Sequence, residues 1–162
     1  MIRKAALLWL CACGGPGSFT GSVQMNTLAV ADSALVGGKE IWLSSEQGLC
    51  SMLQKNTYPK NGTLVKIAPR PIGLGDFNVV ESTTTDGTVS VSFLKLNDTC
   101  TSTLAFGPST GTAGTVTLTQ LTVSKLAVGK FTVTFGNSDQ TSGDFNAAFC
   151  DAPTVYPSPM CE

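Results

Sequence analysis

Gly87-Thr88-Val89-Ser90-Val91-Ser92-Phe93 decides the fold class of this chain. Val89, Val91 and Phe93 fall on one side of an extended backbone while Ser90 and Ser92 fall on the other, and a period of two belongs to a strand with one buried face. The same alternation recurs in Thr115-Val116-Thr117-Leu118-Thr119, in Lys130-Phe131-Thr132-Val133-Thr134-Phe135, and at Phe145, Ala147 and Phe149. Threonine suits the outer face because its branched Cβ fits the pleat. A phase change between Leu118 and Leu121 predicts a bulge near Gln120. Gly136-Asn137-Ser138-Asp139-Gln140 is a run of turn formers, so the last two strands are expected to form a hairpin.

Toward the N-terminus, strands are expected over residues 19–25, 27–31, 39–43, 63–68 and 76–81. Residues 44–56 depart from this pattern. They open with Ser44 and Ser45, which suit a helix cap, carry Glu46 in the first turn, and place Leu49, Met52 and Leu53 on one face. One short helix is predicted there. The Gly-, Ser-, Thr- and Pro-rich residues 107–114 read as an exposed loop. Strands separated by Gly, Pro and Asn turns imply an all-β fold, either a β-sandwich or a barrel-like antiparallel sheet, with the sandwich preferred. No fixed-period repeat and no second domain are evident.

Composition narrows the chemistry. The 162 residues hold 10 Lys+Arg against 11 Asp+Glu, 13% charged and 42% hydrophobic residues, and Thr and Ser supply more than a fifth of the chain. Such a balance predicts no nucleic-acid partner. There is no histidine. Ser-His-Asp and Cys-His catalysis, imidazole zinc sites and histidine pH switches are thereby excluded.

The remaining candidates each have a plainer explanation. Asn137, Ser138, Asp139 and Asp144 offer oxygen ligands, but Ser142 stands where a calcium loop needs glycine and Ala148 where it needs a bidentate glutamate. Asp32, Glu40, Glu46, Asp76 and Glu81 are carboxylates of the kind a hydrolase pairs, and the sequence places no two of them together. Gly73 and Gly75 lie in Pro71-Ile72-Gly73-Leu74-Gly75, which lacks the Lys-Ser/Thr signature of a phosphate loop. Asn61-Gly62-Thr63 and Asn97-Asp98-Thr99 match the glycosylation acceptor pattern, which is common by chance. Trp42, Phe93, Phe106, Phe131, Phe135, Phe145 and Phe149 stand mostly at strand spacing, where core is the simpler role than a sugar platform. No catalytic residue, metal site or cofactor is predicted.

The N-terminus carries the most specific signal. Arg3 and Lys4 precede the uncharged apolar run 5–12, a small basic region followed by a hydrophobic one. The run is too short to cross a bilayer as a helix, which takes about 20 residues. At its end, Leu10-Cys11-Ala12-Cys13-Gly14 resembles a bacterial lipobox, with Leu three places before the modified cysteine and a small residue just before it. The resemblance implies that residues 1–12 are a cleaved signal peptide, that the Cys13 thiol receives a diacylglyceryl group, and that the new amine is acylated. Cys11 is the poorer acceptor because the bulky Leu10 precedes it. Two or three acyl chains at about 0.8 kcal/mol per buried methylene would hold the protein on a membrane without crossing it. Gly14, in place of an Asp, leans toward the outer membrane. Residues 13–18 then read as a flexible tether and 19–150 as the β domain. With Arg3 and Lys4 gone, 8 basic side chains face 11 acidic ones.

Export also suits the cysteines. Setting aside Cys11 and Cys13 leaves Cys50, Cys100, Cys150 and Cys161, an even number that suggests two disulfides with three possible pairings. Cys150 and Cys161 flank a Pro-rich tail over 151–162, so a bridge between them would pin that tail to the last strand. Cys50 would then pair with Cys100, closing a long loop. Such bridges need an oxidising compartment.

Gly48-Leu49-Cys50, Asn97-Asp98-Thr99-Cys100 and the stretch 129–151 are similar to envelope lipoproteins of myxobacteria and their relatives. That resemblance implies a bacterial envelope protein and no particular activity. The expected function is a lipid-anchored, non-enzymatic envelope protein whose partner is the membrane, held through Cys13. A carbohydrate- or protein-binding module and a carboxylate-dependent hydrolase are the alternatives.

Overall fold

The computed structural model describes residues 15–83, 85–154 and 160–161. Among the described residues eleven strands and one helix follow in chain order: β1 (Gly17–Gly21), β2 (Asp32–Val36), β3 (Glu40–Ser44), α1 (Leu49–Gln54), β4 (Thr57–Tyr58), β5 (Thr63–Arg70), β6 (Gly75–Val79), β7 (Thr88–Lys95), β8 (Gly111–Thr122), β9 (Leu126–Phe135), β10 (Gln140–Cys150) and β11 (Met160–Cys161). The architecture is all-β, as the alternation predicts. It is a closed barrel, however, and the preference for a sandwich is corrected.

Closure happens at β10. Strands β2, β3, β5, β7, β6, β8 and β9 are hydrogen-bonded in that order, and both ends of the series pair with β10. Two contacts are parallel, β10 with β2 and β6 with β7, and the other contacts round the barrel are antiparallel. The extra strand β1 lies antiparallel on β10, with Gly17 opposite Phe145 and Gly21 opposite Thr141. It therefore shares one edge of β10 with β2, which takes Ala148 to Cys150. Between the two, Asn146 donates its N–H to the Pro16 carbonyl at 3.2 Å, and its own carbonyl accepts the buried Ser33 hydroxyl at 3.1 Å. The seam thus keeps its polar groups satisfied.

The barrel interior holds the main core, including Leu35, Ile41, Val65, Phe93, Val116, Phe131, Phe135 and Phe145. Phe19 of β1 reaches into it, with its ring 5.6 Å from that of Phe93 and 6.1 Å from that of Phe131. Across the β9–β10 ladder the packing is reciprocal. Gly129 stands opposite Phe145, and Gly143 stands opposite Phe131. A Cβ on Gly129 would come within 2.5 Å of Phe145 Cζ, and one on Gly143 within 2.7 Å of Phe131 Cζ. Each ring lies over the glycine of the neighbouring strand, so both full-size side chains fit inside the barrel side by side.

Several local expectations hold. The ladder register shifts between Leu118 and Gln120, a second shift lies between Gly111 and Ala113, and 136–139 close the β9–β10 hairpin. Helix α1 buries Leu49, Met52 and Leu53. Others are corrected. The strand expected over 27–31 lies at Asp32–Val36, because both faces of β2 are covered and its burial shows no alternation. Strand β1 starts at Gly17, so the last two residues of the expected tether belong to the sheet, and β8 takes the end of the loop expected over 107–114. The serines do not cap α1. Ser44 Oγ accepts from Glu46 N and Ser45 Oγ from Thr63 N, while Gly48 occupies the cap position. The cap comes from another strand: Asp32 Oδ2 accepts the Leu49 N–H at 2.8 Å.

Gly129→Ala is expected to lower unfolding stability by about 1–3 kcal/mol, because the new methyl overlaps a buried ring and the facing backbone. Gly107→Ala, whose Cβ meets open space, should stay within about 0.5 kcal/mol of the parent. Urea midpoints of the oxidised proteins check both.

Candidate functional site: a stapled cover and a bare wall

The outer face of the barrel has two unlike halves. Over β2, β3 and the start of β5 the outward face is largely apolar: Ala34, Val36, Trp42, Leu64 and, past β7, Leu96 form a second core with Leu49 and Leu53 of α1. Trp42 is its centre. The indole N–H donates to Glu40 Oε2 at 3.0 Å, Lys66 Nζ lies 5.4 Å from the ring centroid and 2.9 Å from Glu40 Oε1, and Tyr58 packs 5.8 Å away. A buried indole keeps its polar end satisfied by such a partner.

Two disulfides fasten this cover. Cys50 on α1 is bonded to Cys150 at the end of β10, and Cys100 is bonded to Cys161 on β11. The same four cysteines are paired as expected in number, but the Cys150–Cys161 and Cys50–Cys100 pairing is corrected. The chain leaving β10 does not turn back onto it. It crosses to β4, where Met160 and Cys161 pair in parallel with Thr57 and Tyr58. Cys161 lies beside the turn at Asn97, whose side-chain oxygen accepts from Thr99 N and Thr101 N at 3.0 and 2.9 Å and so presents Cys100. Cys161 is thus pinned to β4 and to Cys100 rather than to β10.

The other half, over β1, β10, β9, β8 and β6, is bare and polar. Register places Thr20, Ser142, Thr132, Thr115 and Asn78 in one row across the five strands, all exposed. The next row is Ser18, Asp144, Lys130, Thr117 and Asp76. Within it Ser18 Oγ donates to Asp144 Oδ2 at 2.8 Å and Thr117 Oγ1 to Asp76 Oδ1 at 2.7 Å. A shallow depression of about 180 Å³ lies on this wall, lined by Thr20, Gly21, Thr132, Gln140, Thr141 and Ser142. The individual threonines were visible as outward strand residues, but their alignment across strands depends on register.

The chemical candidates scatter. Asp32 caps α1, Glu40 holds Trp42 and Lys66, Asp76 meets Thr117, and Glu46 and Glu81 are exposed. Among the described residues no group of three or more His, Cys, Asp or Glu could hold a metal ion. Asp139 Oδ2 accepts from Gln24 N and Asn137 Nδ2, so the hairpin turn uses its own oxygens. Gly73 lies in the β5–β6 connection and Gly75 opens β6, opposite Leu118. Trp42, Phe93, Phe131, Phe135 and Phe145 are buried and Phe149 packs against the core, which removes the aromatic platform; Phe106 alone of the seven is exposed, at 82%. Among the described residues no helix is long and apolar enough to cross a membrane. Residues 1–12 and Cys13 lie outside the described residues.

Comparisons with family models, with curated proteins and with solved structures find no match for this chain.

Peptide mapping under non-reducing conditions should recover the Cys50–Cys150 and Cys100–Cys161 peptides. Replacing Cys100 and Cys161 together by Ser should open the tail to protease within 151–161 and leave the barrel resistant. Closing a loop of this length removes on the order of 4 kcal/mol of unfolded-chain entropy, so the unfolding midpoint should also fall.

Proposed function

We propose that this chain is a lipid-anchored protein of the bacterial cell envelope, held at the outer membrane through Cys13, with a structural or interaction role and no catalysis. One observation carries the reading. Four of the six cysteines, all in the folded body, are joined in two disulfides with sequence separations of 100 and 61 residues. Bridges of that kind persist in oxidising compartments and are rare in reducing ones. The two cysteines left over are Cys11 and Cys13, at the end of the apolar run that follows Arg3 and Lys4. A leader, an acceptor thiol beside it and an oxidised body make a consistent set.

The resemblance of residues 10–14 to a lipobox and of 129–151 to myxobacterial envelope lipoproteins supports the same reading. On it, residues 1–12 are the cleaved leader and the Cys13 sulfur carries the lipid. The non-enzymatic part draws support from the scattered carboxylates, each tied to a structural partner or exposed.

Growth of an expressing bacterium with a labelled fatty acid should give a labelled, membrane-bound product. Cys13→Ser should abolish the label and release the protein from the membrane fraction. Unchanged labelling and fractionation of that variant would refute the proposal.

A further inference from the structure

The anchor proposed above has very little chain between it and the barrel, and this sets which face of the barrel meets the membrane. Chain order places only Gly14 and Gly15 between Cys13 and Pro16. Pro16 is already part of the wall, since its carbonyl accepts the Asn146 N–H at 3.2 Å and the β1 ladder begins at the next residue. Three Cα–Cα steps span at most about 11 Å. Two glycines therefore cannot carry the barrel clear of the surface that holds the Cys13 lipid.

The attachment point is also well placed to decide orientation. Pro16 lies beside Asn146, inside the span of β10 and away from both ends of that strand. The anchor emerges from the side of the barrel. From there the wall runs through Ser18, Asp144 and Lys130, one strand at a time. Neighbouring strands are about 4.8 Å apart, so Lys130 stands on the order of 10 Å across from the β1 anchor point. The stapled cover draws its second core from β2, β3 and β5, and β5 is four strands from β9 in either direction round the barrel, so the cover lies across from the middle of this wall.

Resting on the lipidation of Cys13, we propose that the bare wall of β1, β10, β9 and β8 is the membrane-facing surface, seated on the lipid headgroups. Its side chains suit that zone. Thr20, Ser142, Thr132 and Thr115 are short and uncharged, offering hydroxyls to a hydrated headgroup layer without large apolar groups to insert. Lys130 lies between Asp144 and Thr117 in its row, so no basic patch draws the wall down. Contact follows from the short tether. The cover with α1, β4 and β11 then points away from the bilayer.

Amine labelling tests this with the full-length lipidated product in phosphatidylethanolamine–phosphatidylglycerol vesicles. Lys130 on the wall and Lys60 beside the cover are both exposed. A membrane-impermeant amine reagent is compared on the native chain and on a chain with about 20 Gly/Ser residues inserted between Gly14 and Gly15, a flexible spacer reaching roughly 25 Å. The Lys130-to-Lys60 labelling ratio should be several-fold lower with the native tether. Equal ratios in the two proteins, with acyl chains present by intact mass, overturn the assignment of this face and leave the anchor standing. An intact mass without acyl chains on the native product overturns the anchor itself.

Discussion

Strand β10 carries the constraint on which the rest of the structure depends. It gives one edge to β9 and divides the other between β1 and β2, and this division closes the sheet. An open sheet of this length would leave rows of unpaired N–H and C=O groups at two edges, whereas a closed one leaves almost none. Closure with eight strands demands strong local bending. At Gly129 and Gly143 the Phe145 and Phe131 rings fill the space that the missing side chains leave. A pair of rings over a pair of glycines ties the β9–β10 pairing to the packing of the core.

Closure also creates two unlike outer walls. The outside over β2, β3 and the start of β5 is apolar and needs a cover, but the cover is small: α1 spans Leu49–Gln54, and β4 and β11 are two-residue strands. A helix of one and a half turns is marginal in water, and so little burial does not hold loose chain in place. The Cys50–Cys150 and Cys100–Cys161 bonds tie both ends of the cover to the barrel and its turns. The Asp32 carboxylate, reaching from β2 to the first N–H of α1, fixes the helix start in the same way. The stability of this half therefore depends on an oxidising environment, while the half carrying the polar rows stands on strand pairing and on the core beneath it.

How much of this was readable beforehand follows from how many faces each element buries. Strands β7, β8 and β9 bury one face, so Val89, Val91, Phe93, Val116 and Phe131 announce themselves by alternation. Strand β2 buries both faces, one in the barrel and one under α1, so Asp32-Ser33-Ala34-Leu35-Val36 shows no period and the nearby 27–31 attracted the assignment instead. Helix α1 was readable from Leu49, Met52 and Leu53. Its cap was not, because the residue that accepts the Leu49 N–H is 17 positions away. Trp42 illustrates the same limit, since only the packing of Tyr58, Lys66 and Glu40 against it separates core from an exposed platform.

The amino-acid order alone determined the all-β class, the faces of the regular strands, the position of the helix, the number of paired cysteines, and the absence of any histidine chemistry. These are local or compositional properties, set by side-chain period and residue type. Only the tertiary structure decided that the sheet closes rather than stacks, that Cys50 meets Cys150 and Cys100 meets Cys161, and that small polar residues of five strands align into one wall. Each of those depends on residues distant in the chain being brought to one register, and register is a property of the closed sheet as a whole.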